Sequence, residues 1–190
     1  FKKNSRYISI FLILLSVIST IYYGNKYIIS RHFMDLDKAN MKKAIPAKVF
    51  DEKLKGLKWI TLYNLDNPQK EISKLKEAID IIKKDSRKKI IITDYQFISV
   101  ILSFYDNSPN KYWYRGHAYP SKNDKYFGVY RQFFIDKLKE NEVEIVYTVK
   151  PLHGEPDALA IILNKDCVKK VEITEILESQ LLLDCQELKK

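Results

Sequence analysis

No charged residue interrupts the chain from Tyr7 to Asn25, a run dense in Ile, Leu, Phe, Val and Tyr. At 1.5 Å per residue it makes about 28 Å of helix, close to the ~30 Å hydrocarbon core of a bilayer. Tyr7 stands at one end and Tyr22, Tyr23 and Tyr27 at the other, where rings with a polar tip settle at membrane interfaces. A cleaved signal peptide has a shorter apolar stretch and a small-x-small cleavage site; the sequence GNKYIISRHF that follows Tyr23 offers none. The pattern predicts a transmembrane helix with flanks over residues 1–34 and a charged connection over 35–55. An extramembrane domain then fills 56–190. The chain opens at Phe1 rather than Met, which suggests the C-terminal piece of a longer protein.

Beyond Gly56 strand and helix patterns alternate. Leu57–Leu62 holds Trp59, Ile60 and Thr61 and predicts a strand. Asn67-Pro68 predicts a helix start, and Ile72, Leu75, Ile79 and Ile82 follow at spacings of three and four. Lys88–Asp94 is a short β-branched run that suits a strand buried on both faces. Gln96–Phe104 reads as a short helix, Tyr112–Arg115 as an aromatic strand, and Ser121 with Asp124 as a capping box. That box opens a helix with Phe127, Tyr130, Phe134 and Leu138 on one stripe, stopped at Asn141. Val143–Val149 predicts a strand, Ala158–Leu163 a further strand and Ile173–Leu183 a closing helix. Such alternation implies a small three-layer α/β domain with a mostly parallel sheet.

Charge changes this picture little. The formal net charge is +9, with five arginines among the 33 basic residues. The lysines are scattered among acids, and Ile numbers 24 against 7 Ala and 5 Gly. An A- and T-rich coding bias accounts for that, and without a basic face or a recognition motif no nucleic-acid partner is expected. No Gly-rich phosphate loop, nucleophile elbow or zinc-protease motif is present. No cofactor and no metal are expected.

Two stretches carry candidate chemistry. His153-Gly154-Glu155-Pro156-Asp157 follows a predicted strand and alternates polar side chains that suit metal ligation, or simply form a polar turn. Phe104–Phe134 holds 11 of the 24 aromatic residues beside Arg115, His117, Lys122, Lys125 and Arg131. Aromatic faces with cations suit a sugar or a phosphate-bearing head group, whereas helical spacing of Phe127, Tyr130 and Phe134 suits a core. Trp113, Tyr114, Arg115 and His117 are the candidate acceptor- or partner-binding residues. Tyr112, Trp113 and Tyr114 are consecutive, so on a strand they cannot all point inward. Cys167 and Cys185 would be able to pair outside the cytoplasm; buried thiols are the other reading.

The segments GLKWIT (56–61), ITDYQFISVIL (92–102), YFGVYRQFF (126–134) and KDC…LLDC (165–185), after a last membrane helix, resemble the C-terminal part of bacterial integral-membrane glycosyltransferases. The similarity is to the GT-C superfamily, the group related to dolichyl-phosphate-mannose-protein mannosyltransferases. The resemblance spans the chain but rests on layout rather than on a catalytic signature. It implies a polyprenyl-phosphate-linked sugar donor, a glycan acceptor, and an inner-membrane location with the domain extracytoplasmic. The lipid bilayer and the upstream transmembrane part of the same protein would be its partners. The family's catalytic acids lie in an early external loop, so no catalytic residue is carried over. The alternative is a non-enzymatic membrane-anchored binding domain of the cell envelope. A single-pass hydrolase would need a nucleophile–base–orienter set that three histidines, one of them His32, do not assemble.

Overall fold

The computed structural model describes residues 2–29, 39–103, 108–113, 118–151 and 158–188. The chain divides into two compact units, Phe1–Ala47 with Gly56–Gln69, and Lys48–Lys55 with Lys70–Lys190.

In the first unit, α1 spans Lys2–Tyr23 and continues as a π-helical turn over Gly24–Ile29. Among the described residues, Arg6–Ile29 is the one run long and apolar enough to cross a membrane, and none of it is buried. Leu14 is 57% exposed and Ile18 65%, so this is not the core helix of a soluble domain. The Thr20 hydroxyl donates to the Ser16 carbonyl at 2.9 Å, which satisfies it without water. Among the other described residues of the unit is a minimal antiparallel pair, β1 (Ile45–Pro46) with β2 (Lys58–Trp59). The strand expected over 57–62 is therefore only two residues long, because a 3₁₀ turn begins at Leu62.

The second unit is a mixed α/β domain. Helix α2, Pro68–Lys84, begins where Pro68 supplies a helical φ without needing its missing N–H. Ile72, Leu75, Ala78, Ile79 and Ile82 are buried along one face, the Ile and Leu side chains each contributing about 1.5–3 kcal/mol relative to exposure. Strand β3, Lys89–Thr93, has four consecutive buried residues. After it come α3 (Phe97–Leu102), α4 (Phe127–Glu140), β4 (Ile145–Val149) and α5 (Ala158–Ile162). The chain closes with β5 (Val168–Glu172) and β6 (Leu177–Leu182). The capping box expected at Ser121 and Asp124 does not open α4: its N-cap is Tyr126, without a side-chain cap. Asp124 accepts from the Tyr126 amide at 2.8 Å in the turn before it, while Asn141 is the C-cap.

The sheet runs β3-β4-β6-β5. The β3–β4 ladder is parallel, while β4–β6 and β6–β5 are antiparallel. The sheet is thus mixed, not mostly parallel as expected, and two reassigned segments explain the difference. Residues 158–163 form a helix instead of a strand, and the expected closing helix over 173–183 is the second arm of a hairpin. Ile173, Ile176, Leu177 and Leu181 imitate helical spacing, but Thr174 turns the chain between the arms. Its hydroxyl accepts from the Leu177 amide at 3.1 Å, and the Ile173 amide donates to the Leu177 carbonyl at 2.9 Å. β6 lies between two strands, and its first four residues, Leu177, Glu178, Ser179 and Gln180, are all buried although three of them are polar. Cys167, just before β5, is bridged to Cys185, just after β6, with Cα atoms 5.2 Å apart.

Side chains two apart on a strand share a face. Ile90, Ile92 and Val146 form one buried cluster with Phe134, Ile135 and Leu138 of α4 and with Leu159 and Ile162 of α5. Ile91 and Tyr147 occupy alternate positions, and the Tyr147 hydroxyl donates to Asp85 Oδ2 at 2.5 Å, just beyond α2.

Candidate functional site

The described residues of the aromatic-rich stretch include a buried and an exposed set. Trp113 is 2% exposed, with Tyr119 and Phe134 rings each 6.0 Å away. Tyr130 stacks on Tyr119 at 6.3 Å, and its hydroxyl accepts from Asn110 Nδ2 at 2.5 Å. Burial, outweighing the Asn110 contact, pushes the Tyr130 phenol up to about 12. A ring covered by core neighbours is no stacking platform, so the role expected of Trp113 in acceptor binding is corrected to packing. The exposed set is Tyr112, Tyr126 and Phe133. Tyr114, Arg115 and His117 lie outside the described residues, as does the His153–Asp157 loop. Among the described residues no group of three His, Cys, Asp or Glu side chains could hold a metal ion.

Arg131 is occupied structurally. Its Nε donates to the Ile162 carbonyl at 2.7 Å and its guanidinium pairs with Glu187. Glu187 also accepts from the Asn164 amide at 3.3 Å. These contacts join α4, the end of α5 and the segment after Cys185.

A polar constellation that the sequence did not signal lies on the sheet itself. Glu178 of β6 is 1% exposed and pairs with Lys150 and with Lys170, the latter at 2.6 Å. Burial raises the carboxyl pKa, but the hydrogen bonds from Lys150 and Lys170 overcome it, so the net shift is downward and Glu178 is held ionised. Thr148 and Gln180 are buried alongside, 3.5 Å apart through Oγ1 and Nε2. Glu178 is in register with Thr148, and Val149 with Thr93. The cluster therefore sits at the carboxyl end of the parallel β3–β4 pair, the end where α/β sheets gather ligands. Next to it, Leu163, Asn164, Lys165, Val168, Lys170 and Gln180 line a cavity of about 200 Å³. A buried carboxylate held by two ammonium groups beside amide side chains can orient hydroxyl-rich or anionic groups. It offers no nucleophile–base pair.

These residues escaped sequence reading because Glu178 and Gln180 fall inside the segment expected to be helical, where they would have faced solvent. Leu177–Leu182 reads Leu-Glu-Ser-Gln-Leu-Leu, with no apolar–polar alternation to mark it as a strand.

No protein family, curated protein or solved structure matches this chain.

Proposed function

We propose that this chain is the C-terminal part of a membrane-embedded glycosyltransferase that takes sugar from a polyprenyl-phosphate carrier. In this reading α1 spans the inner membrane and the α/β domain lies on the extracytoplasmic side, over the upstream membrane helices. The observation that carries the location is the Cys167–Cys185 bridge in a domain that follows an exposed, membrane-length apolar helix. Structural disulfides belong to oxidising compartments. The resemblance to GT-C enzymes supplies the chemistry. The domain contributes acceptor positioning, through the Glu178–Lys150–Lys170 cluster and through Tyr114, Arg115 and His117.

The finer fold belongs to the same proposal. We read α2 as the third layer, covering the sheet face opposite α4 and α5. The alternation of Ile90 and Ile92 with Ile91 supports this, as does the hydrogen bond of Tyr147 to Asp85.

A turnover assay tests the function. Vesicles holding the longer parent protein should release polyprenyl phosphate from a polyprenyl-phosphate sugar when acceptor is added, and vesicles holding residues 1–190 alone should not. Turnover by residues 1–190 would move the chemistry into this domain and overturn the assignment. Absence of turnover by the parent would favour the membrane-anchored binding domain.

A further inference from the structure

Helix α4 is apolar on two sides. Phe134, Ile135 and Leu138 are buried, yet Tyr126, Val129 and Phe133 are 61%, 75% and 45% exposed. At 100° per residue these three fall within about 60° of one another around the axis, over the first turns of the helix. Val129 is the most exposed large hydrophobic residue among the described residues of the α/β unit. Lys122 and Lys125 stand exposed at the same end, with Lys125 Nζ 4.6 Å from the Tyr126 ring centroid. Asp124 between them is engaged at the Tyr126 amide.

We infer that this face of α4 is a membrane-surface contact, seating Tyr126, Val129 and Phe133 in the interfacial region of a bilayer with anionic lipid. Three observations select lipid over a protein partner. A tyrosine and a phenylalanine beside an aliphatic residue, flanked by lysines, are the composition that settles at the headgroup boundary. Lys122 and Lys125, exposed beside Tyr126, meet anionic headgroups. The chain also brings its own bilayer: α1, once inserted, keeps a membrane within reach of the domain at high effective concentration. The contact deepens the proposed function and rests on the membrane reading of α1. It would hold the domain against the surface where a lipid-linked sugar is presented.

The test uses the full chain reconstituted into phosphatidylcholine–phosphatidylglycerol vesicles. Bimane is placed on Val129→Cys, or on Glu77→Cys of α2 as the exposed control, with Cys167 and Cys185 left bridged. Flotation with the vesicles reports anchoring separately from the label. A blue-shifted emission at position 129, with quenching by nitroxide lipid at least about threefold that at position 77, is the expected result. Unaltered melting temperature of the Val129→Cys chain shows that the label reads the native surface. Anchored protein whose position-129 label stays as water-exposed as position 77 overturns the contact and leaves the membrane helix standing. Protein that fails to float removes both. A blue shift at position 129 without lipid quenching points to a second protein copy on this face and also overturns the inference.

Discussion

Lys170 reaches diagonally from β5 to Glu178 of β6, its Nζ 2.6 Å from a carboxylate that is 1% exposed. Lys150 reaches the same carboxylate from the end of β4. Truncating one side of a buried ion pair costs more than replacing the whole pair, because the stranded charge keeps its desolvation penalty. The lysines are one-third or more exposed, so they can turn to water if Glu178 is lost, whereas Glu178 cannot. Glu178→Leu should therefore stay within about 1 kcal/mol of wild type, while Lys150→Met with Lys170→Met should cost about 3 kcal/mol. Thermal unfolding of the chain in detergent micelles measures both. Equal losses would show that the pair is not arranged as described.

Acid should destabilise the domain through two carboxylates. Hydrogen bonds from Arg87 hold Asp85 far below its ordinary range against an opposing burial effect, with help from Tyr147; Glu178 is also lowered. A folded-state pKa below the unfolded one contributes stability that is present above the unfolded value, about 4, and lost as pH falls through the folded value. The melting temperature should thus be insensitive to these groups between neutrality and about pH 5 and should decline below about pH 4. Asp85→Asn with Glu178→Gln should flatten that decline. An identical acid slope in the variant would contradict the assignment.

Trp113 and Tyr112 are neighbours with opposite fates. Trp113→Ala removes a core ring and should cost about 3–5 kcal/mol. Tyr112, 63% exposed, should tolerate Ala within about 0.5 kcal/mol. Denaturation midpoints of the two variants check this, and a stable Trp113→Ala protein would return that residue to the surface.

The membrane role proposed for α1 has its own variant. Leu14→Arg puts a charge at the centre of the run and should cost about 2.5–3.5 kcal/mol of insertion. Carbonate extraction of cell membranes should then release a larger share of the variant than of wild type. Equal retention would argue that α1 does not span.

The sequence was most legible where one pattern excluded the others. The uncharged run around Leu14, the three-and-four spacing of Ile72, Leu75, Ile79 and Ile82, and the β-branched run Ile90–Ile92 each admit one element. Legibility failed after residue 158. Ala158–Ile162 is a single helical turn and more, too short for periodicity to distinguish from a buried strand. Ile173, Ile176, Leu177 and Leu181 satisfy a helical spacing that tertiary pairing overrides, since β6 is flanked by β4 and β5. Losing β6 from the reading also hid Glu178, whose burial exists only because its strand is central. For Tyr112 and Trp113, consecutive aromatics implied that one is exposed but could not say which; packing against Phe134 decides it.

A domain outside the cytoplasm would keep Cys167 and Cys185 oxidised in cells, and their thiol state is the decisive measure of the proposed location. Cells producing the full chain are quenched in acid, then treated with maleimide-polyethylene glycol before or after reduction, and the mass shift is read on a gel. No adduct without reductant and two adducts after it are expected of a bridge that closes the β5–β6 hairpin in an extracytoplasmic domain. Two adducts without reductant would place both thiols in a reducing compartment and contradict the extracytoplasmic assignment.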